Sequence, residues 1–175
     1  MRTPTVSVAG DSLPAELQVG VTVEVVEQCS EQSPARLEIR VVNEGDETRR
    51  FEFDHIEPFT AMGDGEPGDH LVHVVPDPDD ENSRADYYEQ FLPERPVDGC
   101  WRLQRLYARP LTQIAARLTP NDAVSRTYLV VADPSAEDCL PSGTYRFDVD
   151  SHVREPDADE SRAYSWGFDL TLEDE

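Results

Sequence analysis

The sequence predicts an all-β protein: an antiparallel β-sandwich of roughly eight to ten strands, with one inserted loop and short helix around 76–99. Two observations point there. Period-two alternation of apolar and polar residues dominates over helical spacing, as half-buried strands require, because successive side chains face opposite sides. Gly, Pro and Asn turn signals separate the alternating runs at short intervals, the pattern of an antiparallel sandwich.

The elements follow in chain order. Residues 5–9 suit a first edge strand. Leu17, Val19, Val21, Val23 and Val25 alternate with Gln18, Thr22 and Glu24. Leu37, Ile39 and Val41 alternate with Arg36, Glu38 and Arg40, and Asn43-Glu44-Gly45-Asp46 then reads as a hairpin loop. Phe51 and Phe53 alternate with Arg50, Glu52 and Asp54. Less regular runs at 71–75, 101–107 and 124–131 read as further strands. In the last of these both parities of Tyr128-Leu129-Val130-Val131 are apolar, which suits a central strand covered on both sides. Ile114, Ala116 and Leu118 face opposite Gln113 and Arg117, with a turn at Thr119-Pro120-Asn121-Asp122. Pro141-Ser142-Gly143 introduces the alternation of Tyr145, Phe147 and Val149. Tyr164, Trp166, Phe168, Leu170 and Leu172 form the last strand. Residues 1–4 and 173–175 read as loose ends of one domain spanning 1–175.

The interruption opens with Pro76-Asp77-Pro78-Asp79-Asp80-Glu81. Ser83-Arg84-Ala85-Asp86 has the outline of a capping box ahead of Tyr87, Tyr88, Phe91 and Leu92, which predicts one short helix. The whole stretch 62–99 reads as an insertion and as the most mobile part.

Composition bounds the rest. The chain has 175 residues with 37 Asp+Glu against 15 basic residues, a formal net charge of −22, and every basic residue is Arg. Leu, Ile, Val and Phe supply just over a fifth of the chain, enough for a core when concentrated in strands and above the roughly 20% below which high charge reads as disorder. So acidic a surface repels nucleic acid and anionic lipid, because nucleic-acid affinity rests on Lys and Arg neutralising phosphate. Arg2, Arg36, Arg40, Arg49 and Arg50 read as interleaved with acids, not clustered. High acid content without lysine resembles the proteins of extreme halophiles. At 1 M salt the Debye length is about 3 Å and self-repulsion largely vanishes. No run of about 18 apolar residues and no apolar leader is visible, so the expectation is a cytoplasmic protein without a membrane span.

Chemistry-bearing motifs are sparse. Gly-x-Ser-x-Gly, the phosphate-binding Gly-x-x-x-x-Gly-Lys and the dinucleotide glycine fingerprint are missing, and a chain without lysine has no Schiff-base chemistry. His55, His70 and His73, with nearby acids, are the residues a metal-dependent hydrolase would use. On a strand, however, His70 and His73 face opposite sides. Carboxylates at 77–81 and Asp148-Val149-Asp150 lack the spacing of a Ca²⁺ loop. No cofactor is implied. Of Cys29, Cys100 and Cys139, a Cys100 to Cys139 bond would join two strand starts, close a loop of about 40 residues and contribute up to roughly 4 kcal/mol. Three reduced thiols are the alternative in a cytosolic chain. Tyr87, Tyr88, Phe91 and Trp101, with Tyr107 nearby, form a candidate partner-binding surface, or else pack the inserted helix onto the sandwich. Phe59-Thr60-Ala61-Met62 poses the same choice.

One ordered set of motifs resembles a known family. A strand ends in Asn-x-Gly-Asp-Glu (Asn43 to Glu47) and is followed by Phe51-x-Phe53. Leu118-x-Pro120 precedes another strand, and the set finishes in Leu140-Pro141-Ser142-Gly143-Thr144-Tyr145-Arg146-Phe147. Over 35–150 this is similar to Ig-like sandwich modules, including the BsuPI-like intracellular proteinase inhibitors and small Ig-like proteins of haloarchaea. The resemblance implies an Ig-like sandwich and a binding role. The 76–99 insertion departs from a minimal module, and no inhibitory loop maps onto it. The expectation is therefore a non-catalytic protein-interaction module of an extreme halophile, with a BsuPI-like proteinase inhibitor and a metal-dependent hydrolase as alternatives. The 55–99 region and the loop ends would contact the partner.

Overall fold

A computed structural model describes residues 3–53, 71–82, 86–106 and 114–174. Among the described residues nine strands form two antiparallel sheets. They are β1 (Thr5–Gly10), β2 (Val19–Glu27), β3 (Ala35–Asn43), β4 (Arg49–Phe53), β5 (Val72–Pro76), β6 (Ile114–Leu118), β7 (Ala123–Ala132), β8 (Gly143–Arg154) and β9 (Arg162–Glu173). One sheet has the order β1-β9-β8-β4-β6, the other β2-β3-β7-β5. A four-residue helix, α1 (Asp86–Glu89), lies in the insertion. Residues 83–85, where the capping box falls, and Phe59-Thr60-Ala61-Met62 lie outside the described residues.

The alternation decides which side of each sheet is dry. Leu37 and Ile39 of β3, Val72 and Val74 of β5, and Tyr128, Val130 and Ala132 of β7 meet Val6, Phe147, Trp166, Phe168, Leu170 and Leu172 of the facing sheet in one buried cluster. Phe147 and Phe168 are direct cross-strand partners whose rings stack at 5.4 Å. A second cluster closes the other end of the sandwich. There Phe51 and Phe53 of β4 meet Val19, Val41, Leu118, Val153 and Tyr164. Burying a large apolar side chain stabilises by about 1.5–3 kcal/mol, so these two clusters are the main source of stability. Gly167 answers a local demand on the outer face. A Cβ there would lie 2.4 Å from the Phe147 carbonyl oxygen and against Asp148.

Leu17 is not part of the strand it seems to begin in sequence. It ends a 3-10 turn (Ala15–Leu17), and Gln18 adopts a left-handed conformation before β2 starts at Val19. The strand expected over 101–107 is also absent from the described residues 101–106. Only Arg102 makes a bridge, parallel to Ala132, through Leu103 N–H to the Ala132 carbonyl (3.0 Å) and Ala132 N–H to the Trp101 carbonyl (2.8 Å). The chain then turns away, and the Gln104 N–H donates to the Phe91 carbonyl. Trp101 and Leu103 are apolar at spacing two because they enter a satellite core, not because they sit in a sheet.

That satellite core explains the doubly apolar strand. Leu129 and Val131 of β7 and Val75 of β5 point away from the main core and are covered by Tyr88, Phe91, Leu92, Trp101 and Leu103. The acidic loop after β5 is tied down as well. Asp77 is buried, its N–H donates to the Thr127 carbonyl, and its carboxylate takes Arg36 Nε at 2.9 Å. Asp80 accepts the Thr127 N–H at 2.7 Å. A disulfide links Cys100 to Cys139 across 39 residues, while Cys29 is a free, half-buried thiol. No helix among the described residues is long and apolar enough to cross a membrane.

Candidate functional site

The surface expected from Tyr87, Tyr88, Phe91 and Trp101 does not form. Tyr88, Phe91 and Trp101 are buried in the satellite core, and the Trp101 indole N–H donates to the Ser30 carbonyl at 2.9 Å. Only Tyr87, 36% exposed, meets solvent. These aromatics pack the insertion onto the sheet. Leu92 and Trp101, with Leu129 and Val131, line a cavity of about 290 Å³ beside the Arg36 and Asp77 pair.

Of the three histidines considered for a metal site, His55 and His70 lie outside the described residues. His73 is 3% exposed, on the satellite side of β5, with Nε2 2.6 Å from Asp133 Oδ2. Asp133 Oδ1 also accepts the Ser135 N–H (2.7 Å) and hydroxyl (2.5 Å). Among the described residues no group of three or more His, Cys, Asp or Glu is placed to hold a metal. Burial pushes the Asp133 carboxyl up, but hydrogen bonds from Ser135 and His73 outweigh this and hold it below the ordinary value. A carboxyl depressed in the folded state contributes stability that is complete above its unfolded value, about 3.9, and is lost as pH falls through the lower folded value. Acid unfolding is therefore expected to include a component below about pH 4 that Asp133→Asn lacks. Denaturant midpoints measured from neutral to acid pH check this, and parallel curves for the two proteins would contradict it.

The most unusual feature of the surface is cationic. On β4 the phenylalanines face inward, so Arg50 and Glu52 face out. The register places Arg50 opposite Arg117 of β6 on one side and opposite Arg154 of β8 on the other. Three arginines thus stand in one row across three adjacent strands. Strands are about 4.8 Å apart, so the row spans about 10 Å. Arg49, Arg50, Arg117 and Arg154, with Thr48, Ala115, Ala116, Glu155 and Pro156, line a cavity of about 290 Å³. Four of the chain's 15 arginines converge here in a protein of net charge −22. The reading of Arg49 and Arg50 as merely interleaved with acids holds along the chain and fails in space, because strand pairing brings in Arg117 and Arg154.

The compensation of these charges is uneven. Glu52 bridges two of them, with Oε1 3.0 Å from Arg50 Nε and 3.4 Å from Arg154. Arg49 is held from below by Glu155 at 3.2 Å. Arg154 Nε is buried without a hydrogen-bond partner, and Arg117 makes no ion pair among the described residues. Arg146, further along the same face, shows the contrast. Asp11, Asp148 and Asp169 surround it, and the hydrogen bonds it donates to Asp11 and Asp148 push its pKa far above the ordinary arginine value. Like charges directly opposite one another across a sheet are destabilising. Arg117→Thr is therefore expected to leave the fold at least as stable, with a gain of up to about 1 kcal/mol at low salt. Chemical denaturation tests this, and a loss above about 1 kcal/mol would instead make Arg117 a structural ion-pair partner.

No protein-family model, curated protein or solved structure significantly matches the chain.

Proposed function

We propose that this protein is a non-catalytic protein-interaction module, adapted to high salt, that docks an anionic surface of a partner protein onto the row formed by Arg117, Arg50 and Arg154. The observation that supports the reading is the row itself: three like charges in register on adjacent strands, an arrangement with a stability cost that one carboxylate, Glu52, offsets only in part. Guanidinium groups suit this work because their planar forks bind carboxylates in a bidentate manner. Short hydrogen-bonded contacts also survive salt that screens longer-range attraction. The resemblance to Ig-like modules agrees with a binding role at the level of scaffold only. No observation favours the proteinase-inhibitor or the hydrolase reading over this one.

The test is fluorescence anisotropy in 1 M KCl with labelled (Glu-Ser)4, (Gln-Ser)4 and (Lys-Ser)4 peptides. The expected result is binding of (Glu-Ser)4 that weakens at least tenfold in Arg50→Gln/Arg117→Gln, with no matching loss for (Lys-Ser)4. Absence of (Glu-Ser)4 binding, or binding indifferent to the substitutions, overturns the proposal.

A further inference from the structure

We infer that the row reads two carboxylates spaced two residues apart, Asp/Glu-x-Asp/Glu, on an extended partner segment crossing the outer face of the β6-β4-β8 sheet. The inference rests on the reading just given and names what the site selects.

Charge sets the number. Arg50, Arg117 and Arg154 bring three positive charges, and Glu52 supplies one negative charge among them. Arg49 is matched by Glu155. Among the described residues the row therefore carries two uncompensated charges, and a single carboxylate leaves one unmet. Geometry sets the spacing. The row extends over about 10 Å, and an extended chain presents side chains on one face every 6.6–6.8 Å or so. Carboxylates at i and i+2 then fall within the row, each within reach of two neighbouring guanidinium groups. Carboxylates at i and i+1 point to opposite sides, and those at i and i+4 are about 13 Å apart and overshoot it. Glu52 already shows the bonding mode, since one of its oxygens contacts both Arg50 and Arg154.

The cavity of about 290 Å³ sits at the lower end of small-molecule pockets, about 300–1,000 Å³, and suits a pair of side chains. Nucleic acid fits poorly. Its phosphates continue past any three cations, and further along the same face they would meet Asp148, Asp150 and Asp169. Those acids confine a useful anion to the row.

Competition against labelled (Glu-Ser)4 in 1 M KCl tests the inference with three eight-residue Ser-based peptides of equal charge, carrying two Glu at i,i+1, at i,i+2 or at i,i+4. The expected result is that i,i+2 competes about tenfold better than the other two, and that Arg117→Gln abolishes the advantage while leaving weak competition. Equal potency of the three overturns the spacing rule and leaves the docking proposal standing. Failure of (Glu-Ser)4 itself to bind overturns both. Displacement by inorganic phosphate or by a dT10 oligonucleotide at concentrations below those of the i,i+2 peptide also overturns the inference, in favour of a small oxyanion site or a nucleic-acid site respectively.

Discussion

Replacing Arg49 with methionine is expected to destabilise the protein by about 3–5 kcal/mol, because it removes several hydrogen bonds made by one buried charged group, each contributing about 1.5–3 kcal/mol. Arg49 is 2% exposed. Its Nε donates to Asn43 Oδ1 at 2.9 Å, one terminal nitrogen donates to the Leu17 carbonyl at 2.8 Å and to Glu155 at 3.2 Å, and the other donates to the Gln18 carbonyl. The guanidinium also lies 5.5 Å from the centre of the Phe51 ring. It therefore gathers the turn before β2, the end of β3 and the segment after β8 around one charge. Methionine fills comparable volume but leaves the Leu17 carbonyl without a donor, while Asn43 Oδ1 keeps the Gly45 N–H and the Gln18 carbonyl keeps the Glu44 N–H; one buried unsatisfied acceptor costs about 1–3 kcal/mol. Lysine is expected to recover little, since a point charge with three donors does not reproduce the planar fork. Chemical denaturation at fixed KCl concentration is the check. A loss below about 1 kcal/mol in the methionine variant would mean that the carbonyls find other partners.

Removing the disulfide is expected to have the next largest effect. The bond between Cys100 and Cys139 spans 39 residues, for which the chain-entropy argument gives about 4 kcal/mol as an upper value, and typical losses are about 2–4 kcal/mol. Position adds to this. Cys100 is buried in the main cluster, immediately before Trp101 of the satellite core. The bond therefore ties the inserted layer to the connection between β7 and β8. Cys100→Ala/Cys139→Ala is expected to lower the denaturation midpoint, and reductant is expected to lower that of the unmodified protein while leaving the double variant unchanged. Identical midpoints with and without reductant would show that the thiols are not joined in solution.

The strands were legible in the sequence because a sheet with one dry face imposes its period on every second residue. The runs at 37–41, 145–149 and 164–172 carry that period and lie within β3, β8 and β9. Where a second layer covers the outer face, the period disappears. The doubly apolar Tyr128 to Val131 still signalled cover on both sides, but nothing local said that Tyr88, Phe91 and Trp101 supply that cover. The same aromatics therefore also read as a contact surface. The irregular apolar run at 101–107 read as a strand, but over the described residues 101–106 it is a loop whose Trp101 and Leu103 enter one pocket.

The arginine row was harder to find. Arg50 and Arg117 each stand at an outward position that alternation identifies. Their adjacency, and that of Arg154, depends on β4 lying between β6 and β8. β4 is separated from each of the other two along the chain by about 60 residues or more, and the pairing is decided by packing of the whole sandwich. A usable signal remains in hindsight: outward arginines on several strands of a chain otherwise so rich in acids.

The most direct measurement is the set of arginine Nε–H resonances of the ¹⁵N-labelled protein during titration with (Glu-Ser)4 in 1 M KCl. The signals of Arg50, Arg117 and Arg154 are expected to move together and saturate, while exposed Arg40 on β3 and the already compensated Arg146 stay in place. Movement at Arg40 with none at Arg117, or no saturable movement at all, would contradict the placement of the binding site on the row.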